Sequence, residues 1–180
     1  YFFADIVREG VVVYDTPAGK LHKPADLRAR LALEEAQRHY EKWMASSAEF
    51  QAGARFYIRR ESANLAAFSL HQASEHLYHC VLLVTTLYSG KAHNLAFLRK
   101  KAEDIDTRLA DAWPRETKCD RRCFELLREA YVKARYSEHF KITAEELAWL
   151  AERVDVLRGL TATICTERLE DLRRQAEAEG

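Results

Sequence analysis

The chain has 180 residues with 28 basic and 28 acidic side chains, so its formal net charge is zero. That balance excludes a broad polyanion or membrane-surface binder, which carries a basic excess, but it leaves room for a local basic pocket. With 48% apolar and 31% charged residues, six Gly and three Pro, disorder and fibrous folds are excluded, and long helices in a single domain are favoured over a turn-rich β-sandwich.

The first fifteen residues differ from the rest. Gly10-Val11-Val12-Val13-Tyr14-Asp15 is β-branched and bounded by turn residues, so it reads as a strand. One strand is not stable alone, and no second one follows, so the segment is expected to be an orphan of a sheet upstream or on another chain, or else an apolar arm. Residues 16–24 contain two prolines and a glycine and read as a linker, with Pro24 suited to a helix start. The only methionine is Met44, so the sequence reads as trimmed at its start or as a piece of a longer chain.

From Ala25 the pattern is helical. Residues 25–60 predict one long helix or two consecutive ones, weakened at Ser46-Ser47 and Gly53. Ser62 is a candidate cap for the next helix. Leu65, Ala66, Phe68, Ala73, Leu77, Cys80, Val81, Val84 and Leu87 make that helix broadly apolar and central, with a stop at Ser89-Gly90. Its longest apolar run, residues 77–88, is shorter than the about 20 residues a membrane span needs. Asn94 predicts a helix to about Ala110, with Leu95, Leu98, Ala102, Ile105 and Leu109 on one face. After a loop at 113–119, Asp120 is expected to cap a helix carrying Phe124, Leu127, Tyr131 and Ala134, broken at 136–142. Thr143 and Glu146 form a capping-box pattern ahead of Leu147, Leu150, Val154, Leu157, Thr161, Ile164 and Arg168, the strongest periodic signal in the chain. That helix is expected to pass Leu172 and to fray or project in its charged tail. The fold class is therefore all-α, an up-and-down bundle of four to six helices with a short β-like N-terminal extension.

The central helix carries His71, Gln72, Glu75, His76 and His79, of which His71, Glu75 and His79 fall at i, i+4 and i+8 on one face. A buried Glu without partners costs several kcal/mol, so these groups are paired or face a cleft. They read as a polar network, as the wall of a pocket for a nucleotide or phosphate, or as metal ligands. Residues eight apart stand about 12 Å apart on a helix, which counts against one ion taking both His71 and His79. Lys133, Arg135, Tyr136 and His139 gather at a later helix end, where Arg suits phosphate and Tyr suits a base, or where they pair with surface acids. Cys119 and Cys123 lack the further ligands of a zinc finger, and Cys80 and Cys165 read as buried thiols. Neither a metal nor a cofactor is expected, and with no signal-peptide layout the location is expected to be cytoplasmic.

The stretch Ala66-Ala67-Phe68-Ser69-Leu70-His71-Gln72-Ala73-Ser74-Glu75-His76-Leu77-Tyr78-His79 resembles the Q-A-x-E helix of HEPN domains. His93-Asn94-Leu95 resembles the H-[DN]-L that opens their third helix. Ala134-Arg135-Tyr136, with Ile142-Thr143 and Glu145-Glu146-Leu147, resembles the stretch before their last helix. Residues 3–15 resemble the last helix and strand of a minimal nucleotidyltransferase domain, a frequent partner of HEPN domains. The resemblance thus divides the chain into a nucleotidyltransferase remnant with linker at 1–23 and a HEPN bundle at 24–180. The paired-Asp transferase motif is absent from this chain.

Many HEPN proteins are metal-independent ribonucleases, often toxins of toxin–antitoxin pairs, marked by Arg and His separated by four to six residues. Here Arg135 and His139 are separated by three. The resemblance therefore implies a non-catalytic module that binds a nucleotide or RNA end, or presents substrate to a nucleotidyltransferase. Its binding residues would be His71, Gln72, Glu75, His79, Lys133, Arg135 and Tyr136, although the family often has Lys where His79 stands. The alternatives are a ribonuclease using Arg135 and His139, and a structural dimerisation module. HEPN domains are commonly dimeric, which implies a homodimer.

Overall fold

The computed structural model describes residues 29–90 and 92–179. The expected strand, linker and Pro24 helix start lie outside these residues. Among the described residues there are five α-helices, α1 (Ala29–Arg59), α2 (Ala63–Thr86), α3 (Leu95–Ile105), α4 (Lys118–Tyr136) and α5 (Ala144–Ala178), with a 3-10 helix at Thr107–Ala112 between α3 and α4. The class is the all-α bundle that the periodicity predicts.

α2 is the hub, packed against α1, α3, α4 and α5. Residues 43, 46 and 53 of α1 meet residues 79, 76 and 69 of α2, so these two helices run antiparallel. His71 meets Leu127 and Phe68 meets Tyr131, which makes α2 and α4 antiparallel too. α5 runs back along α1, with Asp155 bound to Gln51 and Arg55 near its start and Glu179 accepting the Ala29 amide just past its end.

α1 is continuous through its two weak points. Ser47 is buried and turns its hydroxyl back to the Met44 carbonyl. At Gly53 an added Cβ would lie 3.9 Å from the Ser69 hydroxyl, an ordinary contact, so the position faces α2 without requiring a glycine. The most bulky buried side chain, Trp113, comes from the stretch read as a loop. Its indole donates to the Tyr78 hydroxyl at 2.8 Å, with both groups buried.

The helix ends correct several expectations. α3 stops at Ile105, short of Ala110, because Asp106 is extended (φ −143°) and its carboxylate takes the Arg108 amide. That side chain offers the backbone an alternative to the helix and starts the 3-10 turn. α4 is capped by Thr117, with Asp120 as the reciprocal N3 member of a capping box rather than as the cap. Ser62 makes no side-chain cap. α2 ends before Ser89-Gly90, at Leu87, which adopts the left-handed region (φ 55°) and donates its amide to Leu83. The Thr143–Glu146 capping box of α5 forms as read, and Glu146 also accepts from Arg122 at 2.8 Å, tying α4 to α5. The tail of α5 does not fray: it stays helical to Ala178 and buries Leu172.

Candidate functional site

The polar residues of α2 divide into two groups on different sides of the helix. An α-helix turns about 100° per residue, so eight residues leave a drift of about 80°. His79 therefore leaves the face that holds His71 and Glu75. With His76 it enters an aromatic nest beneath α1. Trp43 contacts both imidazoles, at 4.8 Å from His76 and 5.2 Å from His79, and Phe50 contacts His76. His76 shares a hydrogen bond with Ser46, and His79 shares one with Ser89. Burial pushes both imidazoles below their ordinary pKa. These are packed histidines between helices.

The other group forms the candidate site. His71 is 1% exposed, and its Nδ1 donates to the Leu127 carbonyl at 2.9 Å. That carbonyl can only accept, so Nε2 is left facing Oε2 of Glu75 at 3.4 Å, without hydrogen-bond alignment. Glu75 is 3% exposed, and its Oε1 accepts from Nδ1 of His93 at 3.0 Å. Burial pushes the Glu75 carboxyl up, but the contacts with His71 and His93 outweigh it, and the group titrates below its ordinary range. His93 is the accessible end of this chain of contacts, with its side chain 60% exposed.

Tyr131 joins this relay to the end of α4. Its ring stacks on His93 (5.5 Å, 7° between planes) and lies 5.3 Å from His71. The guanidinium of Arg135, one turn further, sits 4.7 Å from the ring centre of Tyr131, 4.9 Å from Phe68 and 5.0 Å from Tyr136. Its Nε donates to the Tyr131 carbonyl. Arg135 makes no ion pair among the described residues. Three aromatic neighbours fix its plane and leave the terminal nitrogens to an outside acceptor.

Of the residues expected from sequence, Arg135 and Tyr136 lie on this surface and His71 and Glu75 are buried beneath it. Tyr136 is 76% exposed. Gln72 is half-buried with its Oε1 enclosed and without a hydrogen-bond partner. His79 belongs to the aromatic nest. Lys133 is exposed and pairs with Glu129 at 2.7 Å. His139 is exposed in the following loop, with its backbone amide bonded to the Ser137 hydroxyl. His93, Tyr131 and Phe68 were missed as site residues. The signal for Tyr131 was its position four before Arg135, which is one helical turn.

No group of three or more His, Cys, Asp or Glu among the described residues is placed to hold a metal ion. No described helix is long and apolar enough to cross a membrane.

At the Arg135 surface the central helix, the connection into the third helix and the end of the fourth meet. The HEPN domain profile matches residues 40–160, and the chain belongs to that family. No curated protein matches the chain.

Proposed function

We propose that the chain is a non-catalytic HEPN module that binds a nucleotide or RNA end and presents it to a nucleotidyltransferase, in cis or in trans. The observation that carries this reading is Arg135, an exposed guanidinium held among three aromatic rings with no carboxylate partner among the described residues. A planar fork of donors fixed in this way suits a phosphate, because little side-chain entropy remains to be lost on binding. Tyr136 offers an exposed ring for a base, worth about 1–3 kcal/mol per stacked base in single-strand binders. In its protonated form His93, with Nδ1 held by buried Glu75, supplies a second donor toward the phosphate. The transferase partner is supported by the resemblance of residues 3–15 to the end of such a domain. The exposed Val132 of α4 supports a homodimer, checked by light scattering. Calorimetry with ATP, GTP and short RNA tests the binding reading. Binding that is lost in Arg135→Ala supports it, and no binding by the wild type, or binding unchanged in Arg135→Ala, overturns it.

A metal-independent ribonuclease is the second reading. It is favoured by the buried carboxylate that orients exposed His93, an arrangement suited to proton transfer. Cleavage of RNA in chelator would establish it. Loss in His93→Ala or in His139→Ala would separate that dyad from the Arg135–His139 pair.

A further inference from the structure

The other end of α4 carries a second concentration of positive charge. An open cleft of about 640 Å3 lies between α3, the turn after Trp113 and the first turns of α4. Arg99, Lys100, Arg115 and Arg121 line it, together with the ring of Phe124. Arg99 is the built part of this wall. It is 6% exposed, its Nε donates to Glu103, its NH2 donates to the Trp113 carbonyl, and its guanidinium stacks 4.6 Å from the centre of the Phe124 ring.

The charge here does not cancel. Glu103 is shared between Arg99 and Arg115, so that trio retains one positive charge. Glu125, the other lining carboxylate, is paired with Arg128. Lys100 makes no ion pair among the described residues. Arg121 donates to the carbonyls of Arg115 and Glu116 and lies near the capping carboxylate of Asp120, without an ion pair among the described residues. The cleft is thus lined by four cations against the two carboxylates Glu103 and Glu125, a local excess of positive charge in a chain whose total is zero. The volume lies within the roughly 300–1,000 Å3 of small-molecule sites.

We infer that this cleft is a second binding site, for a small polyphosphate: the diphosphate or triphosphate group of a nucleotide, or inorganic polyphosphate. Several phosphates in one ligand match cations spread over two helices and a turn, which a single phosphate would not span. Phe124 supplies one apolar wall beside the charges. The site shares no residue with the Arg135 surface, since Arg121 and Arg135 stand in the first and last turns of α4, roughly 21 Å apart along its axis.

The test is calorimetric titration of the whole chain with sodium tripolyphosphate and, separately, with ATP, in wild type, Lys100→Glu, Arg121→Gln and Arg135→Ala. Lys100 and Arg121 are both exposed, so neither change empties the core, and circular dichroism checks that each variant folds. The expected result is that tripolyphosphate binds the wild type, weakens by about tenfold or more in Lys100→Glu and Arg121→Gln, and is unaffected by Arg135→Ala. In Arg135→Ala, where the other surface is removed, equal affinity for the two ligands identifies the phosphates alone as the determinant, while tighter ATP adds the nucleoside to the cleft, and both results support it. Absence of tripolyphosphate binding to the wild type, or binding lost only in Arg135→Ala, overturns it. The Arg135 variant also keeps the failure of this site distinct from failure of the surface at the far end of α4.

Discussion

Nδ1 of His93 lies 3.0 Å from Oε1 of Glu75, joining an exposed imidazole to a carboxylate that is almost wholly enclosed. Glu75 is the anchor, because it also faces His71. Its carboxyl is held below its ordinary range, so the stabilisation it gives is present above the unfolded-state pKa near 4.5 and is lost as pH falls through the folded value. Urea denaturation between pH 3 and pH 7 is expected to show that acid slope. Glu75→Ala is expected to cost about 1–3 kcal/mol, since it removes the acceptor of the His93 bond and leaves a void beside buried His71. Glu75→Gln, whose amide can donate to His71 while accepting from His93, is expected to keep most of the stability and flatten the slope. An unchanged slope in Glu75→Gln would show that other carboxyls set it.

Arg135 tests the aromatic cage. Arg135→Lys keeps the charge but loses the planar fork and the stacking. It is expected to weaken binding of a short RNA by about tenfold, roughly 1.4 kcal/mol, with little change in the melting temperature. Affinity equal to wild type would mean that charge alone suffices there.

The Tyr78–Trp113 bond is a separate test of the core. Burial raises the Tyr78 hydroxyl well above its ordinary pKa, so it stays neutral and accepts the indole proton. Tyr78→Phe removes the acceptor and leaves a buried donor unsatisfied, an expected loss of about 1–3 kcal/mol by chemical denaturation. A neutral result would require another acceptor to reach the indole.

The four cysteines should differ sharply in reactivity. Cys119 is exposed and the other three are buried. Burial pushes Cys123 up to about 12, and the contact with Cys80, together with burial, raises Cys165 further. Thiolate is the reactive form, so a brief iodoacetamide pulse at neutral pH is expected to add one adduct by mass spectrometry, at Cys119. Four adducts are expected after denaturation.

The bundle was legible because apolar spacing is a local property. Leu147 through Arg168 gave α5, and Asn94 gave the start of α3. The ends were less legible where a side chain outbid the helix, as at Asp106, or where a non-glycine took a left-handed cap, as at Leu87. The site was half legible. His71, Glu75 and Arg135 stood out as polar groups in apolar or clustered settings. His93 did not, because its bond to Glu75 depends on the path of the connection between α2 and α3, which has no periodicity. Lys133 looked equivalent to Arg135, yet two residues turn a helix by about 200°, and it faces Glu129 on the solvent side.

The order of contacts along the chain bears on how the domain assembles. α1 and α2 are joined by a turn of three residues, and the His71–Leu127 contact spans 56 residues. The tie between Gln51 and Asp155 spans 104. Longer loops cost more entropy to close, and non-local pairing slows folding. The α1–α2 hairpin should therefore form first and the docking of α5 come last. All the side chains around Arg135 lie in α2, α3, α4 or their connections, so the surface can be complete on the nascent chain before the final helix has closed over the core.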